Sequence, residues 1–494
     1  MSRRVGGVGA YVPRTRLDAD EISDAWGTGG PAGIERTAIP DADEDALTMA
    51  YEAAAEALAA AEVTPSDIEE LWFATTTPPL EEEATTSRLA SFLGVDAPST
   101  QLAGSTAAGT DALLRAVETD SAPALVVASD APRGSPESDL EHAAGAGATA
   151  IVLTEDGAGT VEDVASAAKS YPGTRFRPRG ESDTRALGIT SHDRAAFVET
   201  VGAIGDRLSY EGEALDAVAL QAPDGKLPYR AADTLGVSTE QIHAGTVVHD
   251  VGDAGTASPL LGLAATVEEG HTNLLLVGYG SGSEASGAVL DLAGVPVRSR
   301  LEGTDSLSYA GALRLRGEIT PGEPEGGGAY VSVPTWRRSL PQRHRLVAGR
   351  CMSCGRLNLP PEGACVGCHG LESYEEVRLP GTGTVEATTV IEQGGAPPEF
   401  VAQQARSGAF VSAIVALEGP TATDEPNRPT ANDDDVAISE TDASGTVSLP
   451  MQVDAGGEET VEIGDRVTTT IRRIYTQESL PRYGRKAVLE RSRR

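Results

Sequence analysis

Residues 45–61 read Asp-Ala-Leu-Thr-Met-Ala-Tyr-Glu-Ala-Ala-Ala-Glu-Ala-Leu-Ala-Ala-Ala, and after a short polar break residues 71–75 read Leu-Trp-Phe-Ala-Thr. The first run is built from strong helix formers. In the break, Thr64 caps a short helix with Pro65 in its first turn. The second run is apolar throughout and reads as a buried strand. A helix feeding such a strand is the repeating unit of a parallel sheet covered on both faces. Working outward, 5–12 reads as a glycine-rich strand ending at Pro13, 86–92 and 109–119 as helices, and 124–128 and 150–154 as strands. The pattern then recurs. Helices are expected at 195–209, 228–235 and 259–268, and strands at 217–221, 246–248, 273–277 and 288–292. Two similar α/β halves imply an internal duplication. A chain of 494 residues is too long for one core, so further domains follow.

The formal charge is −35, from 74 acidic and 39 basic residues. Lysine occurs only at Lys169, Lys226 and Lys486. With 40% hydrophobic residues the chain is not a disordered acidic protein. A dense carboxylate surface suits a folded protein of a salt-rich, halophilic cytoplasm. It argues against non-specific nucleic-acid binding, which needs a basic surface. No run of about 18 apolar residues is present, so a membrane span is not expected, and the N-terminus lacks the apolar core of a signal peptide.

All four cysteines lie in one stretch, Cys351-Met-Ser-Cys354 and Cys365-Val-Gly-Cys368, with glycines at 355, 367 and 370. Two CxxC knuckles can set four thiolates around one tetrahedral Zn²⁺, and such a closed site is structural. Two disulfides or free thiols are the alternative, disfavoured without a secretion signal. No cysteine remains elsewhere to act as a nucleophile. Upstream, 319–335 is rich in Gly and Pro and reads as a linker, and 336–349 is a basic, partly helical segment expected to dock on the ribbon. Downstream of the ribbon, five strand-like runs between 379 and 494 suit a small OB-type barrel, with an acidic loop at 418–444.

Five segments are similar to the archaeal type of 3-hydroxy-3-methylglutaryl-CoA synthase, in the thiolase superfamily: VGGVGAYVPRTRL, GIERTAIPDADEDALTMAYEAA, ALQAPDGKLPYRAADTLG, SPLLGLAA and GYGSGSEA, spanning 5–317 in family order. The resemblance implies a duplicated five-layered α/β sandwich, usually a homodimer. Four further segments, LVAGRCMSCGRLNLPPEGACVGC, LPGTGTVEATTV, EIGDRV and RYGRKAVLE, resemble the rubredoxin-like zinc ribbon fused to an OB fold that accompanies acyl-CoA enzymes. Members of that family typically bind a thiolase, or bridge it to this synthase. The expected organisation is therefore 1–165 and 166–318 for the two thiolase-like halves, 319–339 for the linker, 340–378 for the zinc ribbon and 379–494 for the barrel.

The resemblance also implies where chemistry would reside. The synthases use a cysteine nucleophile, a glutamate acid/base and a histidine that orients a thioester. Matching Gly109-Thr110 puts Thr106 at the cysteine position, with Ser105 beside it. The Ser-Glu-Ser-x-Pro motif reads Thr75-Thr76-Thr77-Pro78-Pro79, which puts Thr76 in place of the glutamate; Glu81, Glu82 and Glu83 read as a solvated charge run. The histidine motif reads Gln221-Ala-Pro223-Asp-Gly225-Lys226, with Gln221 in place of histidine. Threonine cannot exchange a proton near neutral pH, and glutamine is neither acid nor base. Lys226 is retained as a candidate for coenzyme A phosphates, and Gly280 and Gly282 match the loop facing the thioester oxygen. The Gly-Asn turn of the family reads Gly252-Asp253, and His249 just upstream is the nearest substitute base.

Three reacting groups replaced at once point to lost condensing activity. The leading expectation is a scaffold or subunit that binds acyl-CoA and a thiolase-family partner. The rival is an acyltransferase using Ser105 or Thr106 with His249 as base, and a third possibility is acyl-CoA sensing without a partner.

Overall fold

The computed structural model describes residues 3–27, 30–320, 331–371, 373–392, 396, 400–420, 445–455 and 460–493. They divide into two compact units, Met1–Ile319 and Thr320–Arg494.

The first unit is organised by a mixed sheet of ten strands. Its centre is the pair Arg4–Tyr11 and Gly159–Ala168, joined at only two register positions. From Arg4–Tyr11 the order runs outward through Gly147–Thr154, Ala124–Asp130 and Glu70–Ala74 to Ser99–Leu102. From Gly159–Ala168 it runs through Glu284–Asp291 and Asn273–Gly280 to Ala217–Leu220. On both sides the first three pairings outward are antiparallel, antiparallel and parallel. The duplication read from the sequence is thus repeated over the first three strands of each side, and Ser99–Leu102 is an additional edge strand on one of them. Two helices, Ala108–Glu118 and Ser258–Glu268, bury their apolar faces in one cluster with strands from both halves.

Local chemistry explains the defining helix. Asp45 accepts from the backbone of Leu47 and Thr48, and the Thr48 hydroxyl accepts from the Asp45 N–H, closing a capping box. The helix Ala46–Ala60 then lies directly on the first strand. A Cβ at Gly9 would sit 2.2 Å from the Ala53 carbonyl oxygen, so the glycines of VGGVGAY permit this approach.

One expected strand is absent. Residues 246–248 read as β because Thr246, Val247 and Val248 are β-branched. The chain instead forms a helical turn, Val248–Val251, which buries Val248 and Val251 on one face at i, i+3 spacing. Tertiary burial overrides the strand preference.

In the second unit, a helix Val333–Arg345 begins inside the segment read as linker. It leads into a three-stranded ribbon sheet, with Val347–Cys351 between Leu357–Asn358 and Tyr374–Arg378. The helix was expected to dock on the ribbon; it packs beside the ribbon strand Val347–Cys351 and also meets the last barrel strand. The Arg482 guanidinium lies 3.6 Å over the Trp336 ring, and Arg485 Nε donates to the His344 carbonyl at 2.9 Å. A five-stranded barrel closes in the order Thr382–Ile391, Phe410–Glu418, Thr446–Asp454, Leu480–Leu489, Arg466–Gln477. Ribbon and barrel share one core, in which Leu357 and Val377 join Val415, Leu417, Val467 and Leu489. Arg482 and Lys486, basic residues of the last strand, are buried and form no basic surface. Most of the acidic loop read at 418–444 lies outside the described residues. Among the described residues no helix is long and apolar enough to cross a membrane.

Candidate functional site

A cavity of about 510 Å³ in the first unit brings together Thr106, Gln221, Lys226 and Gly280. These four are separated widely in sequence and are delivered by the helix Ala108–Glu118, the end of the strand Ala217–Leu220, the loop after it, and the end of the strand Asn273–Gly280. Thr106 is buried, and its hydroxyl donates to the Tyr279 carbonyl at 2.8 Å. Gln221 is 1% exposed, and its Nε2 donates to Asp253 Oδ1 at 3.3 Å. Asp253 also accepts from the Gly255 N–H at 3.0 Å and forms an ion pair with Arg175. Lys226 is exposed at the rim, where the Asp224 carboxylate accepts from the backbone of Lys226 and Leu227 and fixes the turn.

The other expected site residues lie elsewhere. Ser105 lines a separate cavity of about 480 Å³ with Gln101, Asp111 and Glu284. A Cβ on Gly280 would come 1.8 Å from the Ser105 oxygen, so the glycine-rich loop is also a packing surface. Gly282 lies in the turn just beyond, at φ 81°, and is not among the residues lining the Thr106 cavity. His249 faces a third cavity of about 940 Å³. Its Nδ1 is 2.6 Å from the Gly33 carbonyl and its Nε2 is 2.7 Å from the Tyr229 hydroxyl. A carbonyl only accepts, so Nδ1 carries a proton, and the Tyr229 hydroxyl bridges Nε2 to His243 Nδ1 at 3.0 Å. Both ring nitrogens are engaged away from Thr106. Glu81 and Glu83 pair with Arg179 and Arg88 at the surface.

Thr76 does not line the Thr106 cavity; it serves a carboxylate that the sequence reading missed. Asp130, fully buried at the end of its strand, accepts six hydrogen bonds. The three hydroxyls of Thr75, Thr76 and Thr77 and the N–H groups of Thr76, Thr77 and Thr256 supply them at 2.7–2.9 Å. The only sequence signal was a polar pair, Ser129-Asp130, ending an apolar strand. Arg175 and Arg177 were also missed. Arg177 donates to the Thr76 carbonyl, and both belong to an arginine-rich run, 175–185, that stands out in so acidic a chain. Asp193 lines the Thr106 cavity too, and burial pushes its carboxyl above the usual range.

In the second unit the four cysteine sulfurs lie within 4.8 Å of one another. Cys351 and Cys368 are 3.8 Å apart, and Cys354 and Cys365 3.6 Å. A disulfide would require about 2.0 Å. A tetrahedron with Zn–S arms of 2.3 Å has edges of about 3.8 Å, so the four positions fit that ion. Backbone N–H groups of Cys368 and Gly367 lower the Cys365 thiol to about 6, which favours the thiolate a metal needs. Asn358 supports it from behind, with Nδ2 3.6 Å from Cys365 Sγ and Oδ1 accepting from Val366 N–H at 2.8 Å.

The fold and this cavity define a thiolase-like α/β protein. A crystal structure of an HMG-CoA synthase complexed with CoA superposes with a TM-score of 0.58 at 18% identity, over 67% of this chain and 94% of that one. The 3-oxoacyl-(acyl carrier protein) synthase III of Pseudomonas aeruginosa superposes with 0.52 at 22% identity, over 59% of this chain and 98% of that one. Sequence comparison is more specific. The hydroxymethylglutaryl-CoA synthase of Archaeoglobus fulgidus is 31% identical over 291 residues, 56% of this chain and 84% of that protein. The enzyme of Methanopyrus kandleri is 31% identical over 305 residues, 57% of this chain and 86% of its own length. The chain belongs to the hydroxymethylglutaryl-CoA synthase family. Residues 338–372 match a second family, the ChsH2 rubredoxin-like zinc ribbon domain.

Proposed function

We propose that this chain binds coenzyme A without condensing acyl groups, and that its zinc ribbon and OB-type barrel dock a thiolase-family partner. The observation that carries this reading is the set of contacts around the cavity. Where a synthase needs nucleophile, base and carbonyl donor, Thr106 donates to a backbone carbonyl and Gln221 is held by an Asp253–Arg175 ion pair. Thr76 is bound to buried Asp130. None of these groups is a thiol or a proton acceptor in the cavity. Lys226, exposed at the rim, supports this reading as the cation that would meet a coenzyme A phosphate. The four cysteines hold structural Zn²⁺, which supports the ribbon beneath the barrel.

The test is incubation with isotopically labelled acetyl-CoA, followed by mass spectrometry of residues 103–110. No covalent label is expected; an acetyl adduct there would overturn the proposal. A second reading, acyl transfer through the Thr106 hydroxyl, draws on Asp193, a carboxyl of raised pKa lining the same cavity. The same experiment decides between the two.

Assembly follows the family. The strand Ser99–Leu102 ends the sheet and suits pairing in a homodimer. Purification of the native protein should bring a thiolase-superfamily subunit with it; recovery of this chain alone supports sensing without a partner. The surplus of 74 acidic over 39 basic residues predicts salt-dependent folding. Thermal scans should show the melting temperature falling as salt is lowered from molar to about 0.1 M, and a flat dependence would remove the halophilic reading.

A further inference from the structure

Resting on the reading that the second unit docks a thiolase-family partner, we propose that the arginine-bearing face of the helix Val333–Arg345 is the docking surface, and that the partner meets it with a cluster of carboxylates. The inference starts from charge. Residues 331–361 hold six arginines, Arg337, Arg338, Arg343, Arg345, Arg350 and Arg356, and no aspartate or glutamate. The rest of the chain holds 33 basic and 74 acidic residues, a net charge of −41. Carboxylates keep that larger surface soluble, and this one segment departs from it.

The second observation is independent. In the first unit Arg14, Arg36, Arg133, Arg298 and Arg316 each pair with a carboxylate. On the helix, Arg337, Arg338, Arg343 and Arg345 have no carboxylate partner among the described residues. Arg343 and Arg345 lie in the last turn, where the helix dipole favours cations. Arg337 and Arg338 come earlier, gain nothing from the dipole and are both exposed. One side of the helix is already occupied, since Trp336 lies under Arg482 and His344 is buried. Arg338 and Arg345, seven residues and two turns apart, share the opposite side.

The partner's chemistry follows from the size of the patch. Arg337 to Arg345 spans about 12 Å at 1.5 Å per residue. Exposed carboxylates follow in the ribbon at Glu362, Glu375 and Glu376. A duplex backbone extends far beyond 12 Å and needs a continuous basic track. Single-stranded nucleic acid needs aromatic platforms, and Trp336, the aromatic of this helix, is taken by Arg482. A compact group of side-chain carboxylates matches the patch, because a guanidinium holds a carboxylate through two parallel N–H donors. Contacts of this kind act at close range and persist where salt screens distant charges.

Titration of the full chain with the thiolase-superfamily subunit that purifies with it, read by native mass spectrometry, tests this. Arg337→Glu/Arg338→Glu should weaken the association roughly 10- to 100-fold, and Arg337→Lys/Arg338→Lys, which keeps the charge and loses the planar fork, only several-fold. Zinc content and the melting transition of the second unit should match wild type in both variants. Unchanged association of the glutamate variant would overturn the inference and leave the proposed function standing. A wild-type chain that carries no such subunit would instead overturn the proposed function. A photo-reactive residue in place of exposed Thr335, one turn from Arg338, gives a readout without charge reversal. It should cross-link to an acid-rich peptide of the partner. Cross-links to residues 1–319, to a second copy of this chain or to nucleic acid would overturn the inference.

Discussion

Replacing Asp130 by alanine should unfold most of the first unit at ambient temperature. The carboxylate is fully buried and is the acceptor for three backbone N–H groups and three hydroxyls. The hydroxyls can rotate toward other acceptors, but the N–H groups of Thr76, Thr77 and Thr256 cannot. Each buried donor left unpaired costs about 1–3 kcal/mol, so the three together cost about 3–9 kcal/mol, and the cavity adds to this. Typical domain stabilities are about 5–15 kcal/mol, so the loss is a large fraction of the whole. Asp130→Asn is expected to do less harm. Its remaining oxygen can replace Oδ1, which receives the N–H groups of Thr76 and Thr77, and leaves chiefly the Thr256 N–H unmatched. Chemical denaturation should rank wild type above Asn above Ala. An alanine variant that melts within about 2 °C of wild type would refute the role given to Asp130.

Removing the metal should have a comparable effect on the second unit. Structural Zn²⁺ binding contributes about 10–16 kcal/mol in isolated zinc-finger peptides at neutral pH. Here the ribbon strands contribute Leu357 and Val377 to the barrel core, so loosening the knuckles exposes that core as well. Chelation, or Cys365→Ser, should abolish the melting transition of the second unit and leave that of the first. Cys365 is the telling position because it is 1% exposed and receives the supporting contacts from Asn358 and Gly367. Elemental analysis of the untreated protein should give one zinc per chain. A metal-free protein with an unchanged melting profile would overturn this assignment.

The duplicated α/β architecture was legible because its elements are dictated locally. Helix Ala46–Ala60 has its cap, its alanines and its i, i+3 spacing within one short stretch. The strands Ala124–Asp130 and Asn273–Gly280 announce themselves as continuous apolar runs. Where burial competes with propensity, local reading failed: Thr246-Val247-Val248 looks like a strand and turns into the helix Val248–Val251. The basic segment around Trp336 was readable as helix, but the surface it meets was not, because that surface is made by a strand more than a hundred residues away.

The site divides along the same line. That the larger unit has no thiol follows from residue order alone; that Thr106, Thr76 and Gln221 stand at three reactive positions is what the resemblance to the synthases implies. Residue type limits chemistry whatever the fold. The four cysteines are equally decisive, since two CxxC knuckles bring their own geometry. What the replacements do was decided only by tertiary structure, because their partners are remote: Thr76 and Asp130 are 54 residues apart, Gln221 and Asp253 32, and Thr106 and Tyr279 173. A hydrogen bond acts over about 3 Å, and sequence distance says nothing of which groups come that close. The folded chain turns Thr76 toward a buried carboxylate and places His249 in a different cavity.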